Sequence, residues 1–415
     1  MSASMKILLV LHDYLPAHAG GSELHAHQLA KAHLARGHDV TVLFTERDLS
    51  RPEGHFVEGS FEGVRTVEVV HQREYPNLHE TWKQTFFAEV FRAQLQRLAP
   101  DVVHFHHTNF WGARCLELAK ESGARVVLTL HDYHLICHAA TLLDGDRLCD
   151  GGGVDGSCGA CLPADMVSGG EAELLAGARE RRVLHRRCLA AVDAVISPSH
   201  FLFTRFEVAG LSVPAEKRRV ILTGYPGERQ PLRQRDPVAP LRVAFVGGIY
   251  HAKGVHVLID AFRALGARDR AGKVPIRLSI HGHFDWFPDY AAGLRAMAAG
   301  LDVDFIGPFP SGGAAAVLRD VDVLVVPSIW YENRPITIPE AFLSGCVPVT
   351  SALGGMAESV RHEVDGLCFP VGDGEALADS LERLADEPGL WDRLAAARPD
   401  LPDMVTVAAA IKALY

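Results

Sequence analysis

The sequence predicts an α/β protein of two Rossmann-like, doubly wound domains facing a cleft, and three observations lead there. The chain has 415 residues, too long for one ordinary core and suited to two domains of roughly 200 residues each. Short β-branched runs alternate with amphipathic helices, the pattern of a parallel sheet covered on both faces. That pattern is interrupted at a polar, proline-bearing stretch over residues 227–240, then starts again.

Residues 6–11 read as the first strand, and residues 21–37 as a helix with apolar side chains at helical spacing. Further strands are expected at 41–44, 102–105, 126–130 and 194–196. After the linker the alternation resumes with strands at 242–246, 277–281, 303–306, 323–327 and 347–350. The domains expected are therefore 1–230 and 240–400, with a helix over 401–415 packing back onto the first. No internal repeat is visible, which argues against an array.

Composition bounds the function. With 48% hydrophobic and 22% charged residues and a net charge of -10, the chain reads as an ordinary globular protein. The acidic total argues against nucleic acid as its main partner. No apolar run approaches the ~20 residues needed to span a bilayer. The run 7–11 is too short for a signal sequence, so the expected location is cytoplasmic. Eight cysteines in a reducing compartment point to thiols or metal ligands rather than disulfides.

The densest chemical signal lies in residues 323–342. A buried strand ends near Pro327, a loop follows, and a helix is expected to start near Pro335. Glu332 then falls in the loop at the carboxyl end of the strand, where open α/β sheets bind ligands. Glu340 falls about one turn inside the helix, whose free amides and dipole suit a diphosphate. Pro339 is tolerated because first-turn amides lack intrahelical partners.

Together with Gly20-Gly21, His131-Asp132, Ser197-Pro198-Ser199, Lys253-Gly254 and Gly354-Gly355, this pair resembles the family-4 retaining glycosyltransferases of the GT-B fold. The resemblance covers nearly the whole chain. It implies that Glu332 binds hydroxyls of a donor sugar and Glu340 the ribose hydroxyls of its nucleotide, tasks for which a carboxylate's paired acceptors suit a diol. It places Asn333, Arg334, Pro335, Ile336 and Thr337 against the donor. Lys253 would contact the phosphates and absorb charge on the leaving diphosphate. The commoner family pattern has an arginine where Gly248 stands, so either Arg334 or backbone amides would compensate, or the donor phosphate is gripped differently. Gly20 and Gly21 would let the backbone approach the donor closely.

In the first domain, the resemblance sets His106, His131 and Asp132 at the catalytic centre, with His106 and His131 facing the reacting sugar. A neutral imidazole there orients a hydroxyl. His104 alternates to the opposite face and reads as structural. No covalent nucleophile stands out, and the family implies direct front-face transfer. The pairs Asp144/Asp146, Asp302/Asp304 and Asp320/Asp322 read as turn and surface residues, so no metal is expected for the chemistry.

Cys137, Cys149, Cys158 and Cys161 crowd a glycine-rich loop after His131. A structural four-thiolate Zn²⁺ site would pin such a loop; unlinked thiols and disulfide chemistry are the other readings. Cys115, Cys188, Cys346 and Cys368 read as buried small hydrophobes. Arg179, Arg181, Arg182, Arg186 and Arg187 form a basic helix that would meet anionic lipid or a phosphorylated acceptor, or be a solvated face.

The resulting expectation is a retaining hexosyltransferase. Its donor is a nucleotide sugar, a UDP-sugar by default, and its acceptor a hydroxyl of a small molecule, lipid or saccharide. A sugar-nucleotide epimerase or hydrolase and a non-catalytic sugar-nucleotide binding module are the alternatives.

Overall fold

A computed structural model of the chain describes residues 4–72, 83–145, 147–151, 158, 170–225, 227–309 and 313–415. It divides into two compact units, Met1–Gly224 with Pro402–Tyr415, and Tyr225–Leu401.

The first unit is built on β1 (Lys6–Val10), β2 (Asp39–Arg47), β3 (Phe56–Phe61), β4 (Val64–His71), β5 (Val102–Phe105), β6 (Arg125–Thr129), β7 (Leu143–Asp144), β8 (Arg147–Leu148), β9 (Ala194–Ser197) and β10 (Arg218–Val220). Eight of these form one sheet in the order β10-β9-β6-β5-β1-β2-β4-β3, and β7 pairs with β8 apart from it. All pairings in the large sheet are parallel except β3 with β4. The central strands are buried along their length, as in a sheet covered on both faces. Strand order reverses beside β1, where Val10 pairs with Phe105 of β5. The loops leaving β1, β5 and β6 therefore emerge together at the carboxyl edge.

The helix Met404–Lys412 belongs to this unit. Its Val407, Ala408 and Ile411 pack with Leu29, Val127, Ala194 and Ile196. Asp403 caps it, accepting from the Thr406 amide at 2.7 Å.

The second unit contains β11 (Leu241–Val246), β12 (Ile276–His281), β13 (Val303–Gly307), β14 (Val323–Val326), β15 (Val347–Ser351) and β16 (Leu367–Phe369). Their order is β13-β12-β11-β14-β15-β16, all parallel. The order reverses between β11 and β14, which makes their carboxyl ends the ligand-binding edge. The stretch 227–240 is docked on this unit rather than hanging between two bodies. The Gln230 amide donates to Leu343 O at 2.8 Å, and Arg233 pairs with the buried Asp322 at 3.2 Å. Asp322 also takes the Arg242 guanidinium at 2.9 Å, so of the Asp320/Asp322 pair one carboxylate is an interior anchor rather than a surface residue.

Two sequence expectations are adjusted. The first helix spans Gly21–Leu34 and stops short of residue 37, where Gly37 turns the chain at φ +82°. The β3–β4 hairpin was not anticipated, because β3 is solvent-exposed over most of its length and shows no alternation of apolar side chains.

Candidate functional site

In the second unit, loops from the two strands at the reversal point are tied to each other. The Ile329 amide donates to Ala252 O at 2.9 Å. Gly254 sits at φ +68°, and a Cβ there would stand 2.0 Å from Pro327 O, so only glycine lets the loop after β11 lie against the loop after β14. This closeness brings Lys253 to Glu332. The Lys253 Nζ donates to Glu332 Oε1 at 2.6 Å, and the same oxygen accepts from Ser328 Oγ and Trp330 Nε1, each at 2.8 Å.

Lys253 also lies beside two rings, 5.7 Å from the centre of Tyr250 and 5.6 Å from that of Trp330. Burial acts to lower its pKa, but the Glu332 carboxylate and Tyr250 outweigh burial, and the ammonium is held above its ordinary value. Ser328, Trp330 and Tyr250 were not singled out from the sequence. A tryptophan and a tyrosine near a lysine are ordinary core residues until the fold places them.

Glu332 is fixed through its backbone as well. The Gly355 amide donates to Glu332 O at 2.8 Å, and a Cβ at 355 would fall 1.4 Å from Asn333 O. The pair Gly354-Gly355 is thus needed for close approach, not only for a turn. At Gly248 the space a side chain would enter is filled by the Tyr250 ring, whose Cε1 stands 2.7 Å from the Cβ position.

Asn333 is buried, and Arg334 carries a buried Nε with no hydrogen-bond partner among the described residues. The helix begins at Thr337, with Ile336 capping it and Pro335 just before. Glu340 lies in its first turn. Its Oε2 is buried without a hydrogen-bond partner among the described residues, and burial raises the carboxyl to about 7.

In the first unit, the loops after β1, β5 and β6 collect imidazoles. His106 Nδ1 and His131 Nε2 share a hydrogen bond at 3.1 Å, with ring centres 5.3 Å apart. His25 packs edge-on to both. Burial is the first cause that lowers each, His131 to about 3 and His25 to about 4, and His106 also falls well below the ordinary value. These rings are neutral at physiological pH.

Asp132 does not join them. Its Oδ2 meets His107 Nε2 at 2.9 Å and its Oδ1 accepts from the His134 amide at 2.8 Å. Burial opposes charge on both partners, yet the pairing prevails: His107 is held above and Asp132 well below their ordinary values. The hydrogen bond between buried His107 and half-buried Asp132 thus favours the charged form of each. The His12 ring lies 4.4 Å from that of His107, tilted at 47°, and its Nε2 lies 4.0 Å from Glu23. Gly20 precedes Gly21 as the extended N-cap residue of the first helix, and a Cβ at 20 would stand 2.4 Å from Glu23 Oε2. His107 follows β5 beside His106, as its place in the sequence implies, whereas Glu23 and His12 have no distinguishing sequence spacing and were missed.

No support for a zinc site in the cysteine loop comes from the described residues, and the described part of that loop is anchored by hydrogen bonds. Cys137, Cys149 and Cys158 carry free thiols, and no cluster of metal-ligating side chains occurs among the described residues. Cys161 lies outside those residues. The basic helix (Gly170–Ala190) supplies the anchors. Arg181 donates to His134 O, and Arg182 donates to Gly151 O at 2.9 Å and to Ala209 O. His185 Nδ1 bonds Leu135 O at 2.8 Å. Arg186 takes Gly210 O and Arg187 takes Glu117, both at 2.8 Å.

Four of the five arginines expected to face lipid or a phosphate are thus spent on the protein's own carbonyls and carboxylate. Cys368 is half-buried, unlike Cys115, Cys188 and Cys346. Arg181 is 3% exposed, and burial lowers it to about 10. Arg181→Ala is expected to lower the thermal unfolding midpoint by about 5 °C through the carbonyl left unpaired; an unchanged midpoint would show that the loop is anchored elsewhere.

Comparison with known proteins identifies the family. The family described as Glycosyltransferase Family 4 matches residues 19–229, and that described as Glycosyl transferases group 1 matches residues 240–387. The chain is 28% identical to glycogen synthase of Mycobacterium tuberculosis, covering 99% of this chain and 94% of that protein. It is 29% identical to D-inositol 3-phosphate glycosyltransferase of Actinosynnema mirum, over 91% and 86% of the two chains. Among solved structures, Anabaena HepE in complex with UDP-glucose aligns with a TM-score of 0.66 at 18% identity, over 99% of this chain and 98% of that one. Sucrose-phosphate synthase of Thermosynechococcus elongatus aligns at 0.69 and 20% identity over the same shares. These likenesses show the fold, GT-B with two parallel-sheet domains. No helix among the described residues is long and apolar enough to cross a membrane.

Proposed function

The chain belongs to glycosyltransferase family 4, and from that premise we propose that it moves a hexosyl group from a nucleoside-diphosphate sugar to an acceptor hydroxyl with retention at the anomeric carbon. A UDP-sugar is the donor assigned, because HepE is seen with UDP and with UDP-glucose. The acceptor is a small molecule, lipid or saccharide.

One observation carries the reading. At the carboxyl ends of β11 and β14, the Lys253–Glu332 ion pair is accompanied by Glu340, a half-buried residue whose buried Oε2 meets no partner among the described residues. Glu340 is suited to accept both hydroxyls of a ribose. Glu332, with one oxygen saturated by three donors, presents the other to a sugar hydroxyl. Lys253 is placed to take up charge on the departing diphosphate. In the first unit, neutral His131 orients the acceptor or the transferring sugar. The acceptor oxygen bonds to the anomeric carbon on the face the diphosphate leaves, and its proton passes to a diphosphate oxygen. Arg334, Asn333 and the backbone at Pro335, Ile336 and Thr337 line the phosphate end of the donor, with Tyr250 over Gly248.

A thermal-shift screen of nucleotide sugars tests this. A donor at a hundred times its dissociation constant stabilises the native state by about 2.7 kcal/mol, so one sugar nucleotide is expected to raise the midpoint by about 5 °C or more. A flat response across uridine, adenosine and guanosine diphosphate sugars would sink the reading. Rapid donor turnover to an epimer or free sugar, with no acceptor able to compete, would favour an epimerase or hydrolase.

A further inference from the structure

We propose that Tyr415 and His104 are positioning residues for His131, acting through a stack of three imidazoles. The inference rests on the reading of His131 as a residue that faces the reacting sugar.

His104 lies on β5 with no exposed surface. Both of its ring nitrogens are engaged: Nδ1 with the Tyr415 hydroxyl at 2.7 Å and Nε2 with Thr129 Oγ1 at 2.7 Å. Of the two nitrogens of a neutral imidazole, one donates and the other accepts. A hydroxyl at each end, able to donate or accept as the ring requires, therefore holds the ring's plane. Tyr415 is brought there by the turn after the helix Met404–Lys412, where Arg125 Nε donates to Leu414 O at 2.8 Å. One hydroxyl of the clamp comes from β6 and the other from the docked helix.

His104 is the floor of the stack. Its ring lies 4.4 Å from that of His106 at an interplanar angle of 27°, and His106 lies 5.3 Å from His131 at 24°. His106 has few other restraints. Its Nδ1 bonds His131, while its buried Nε2 has no hydrogen-bond partner among the described residues. The plane of His106 is set by the face of His104 below it and the edge of His25 beside it. A His104 ring free to rotate lets His106 tilt, and the 3.1 Å bond to His131 goes with it. Polar contacts of this kind reach a functional ring only when the intermediate rings are rigidly packed.

Tyr415→Phe removes one hydroxyl and leaves the ring. Thr129→Val removes the other at similar volume and serves as the second probe should the first variant fold poorly. The first measurement is a long-range ¹H–¹⁵N spectrum of the imidazoles, which needs no ligand. The expected result is a change in the ring nitrogens of His106 and His131 as well as His104; a change confined to His104 overturns the proposal. The second is turnover of UDP-glucose to UDP in a double-mutant cycle with His131→Ala. Tyr415→Phe is expected to lower kcat about five-fold, the scale of one neutral hydrogen bond, with donor KM unchanged. In the His131→Ala background it is expected to do nothing further. Equal losses in both backgrounds mean a merely structural role and overturn the inference. If His131→Ala alone leaves turnover unchanged, the assignment of His131 fails instead, and with it the premise of this inference.

Discussion

Glu332→Gln is expected to reduce turnover of the best-binding nucleotide sugar by about a hundred-fold or more, the scale for losing a charged group aimed at the reacting centre. Glutamine keeps the shape but removes the charge that Lys253, Ser328 and Trp330 all address. The same change leaves the Lys253 ammonium without its counter-ion, and breaking a buried pair costs about 3 kcal/mol. Lys253 retains 22% side-chain exposure, so water softens that penalty. The variant is therefore expected to fold with a lowered unfolding midpoint and to lose catalysis out of proportion to donor binding. UDP release at saturating sugar nucleotide and a thermal melt of the same sample give both readings. Wild-type turnover in Glu332→Gln would remove the residue from the site.

Glu340→Gln is expected to act on affinity and stability in opposite directions. Losing two charge-assisted hydrogen bonds to a ribose weakens nucleotide binding by about 3 kcal/mol, roughly a hundred-fold. The unliganded protein, however, gains stability at alkaline pH. The carboxyl is raised to about 7 by burial, against about 4.3 in an unfolded chain. Protonated below the unfolded value in both states, it imposes no penalty there. As pH rises from about 4 through 7 the unfolded state ionises first, and stability falls by up to about 3 kcal/mol before levelling off. Glutamine removes that fall. Nucleotide affinity in the wild type carries the complementary signature: a diol prefers the carboxylate, so binding tightens as pH rises towards 7 and is flat above it. Calorimetric titration of UDP between pH 5.5 and 8.5 checks this, and an affinity independent of pH in that range would contradict the assignment.

Much of the fold was legible along the chain. Val323–Val326 announces itself as an uninterrupted apolar run because a strand covered on both faces has no polar side to display, and Val102–Phe105 departs from that pattern only at His104. The restart of the alternation beyond residue 240 separated two sheets for the same reason. What escaped was structure without a local signature. The exposed β3 has no apolar face, and the polar stretch 227–240 looks like a linker until its arginines find carboxylates on the second unit.

The candidate site divides in the same way. Glu332 and Glu340 stand out because their spacing follows a strand and opens a helix. Their surroundings do not: Lys253 meets Glu332 across 79 residues, and no periodicity encodes that. Asp132 adjoins His131 in sequence, yet its carboxylate turns to His107. The basic helix looked like a surface for anionic partners because charge is visible in a sequence, whereas the carbonyls that absorb it are not.

The sequence by itself determined the two doubly wound sheets, their order along the chain and the loops at the carboxyl ends of their strands, since burial on one or two faces leaves a period that can be read residue by residue. Tertiary structure alone decided which side chains meet: the triple hydrogen bond on Glu332 Oε1, the unpartnered oxygen of Glu340, and the imidazole stack closed by Tyr415. Those are through-space distances between residues remote in sequence, set by strand order and glycine-permitted backbone contact.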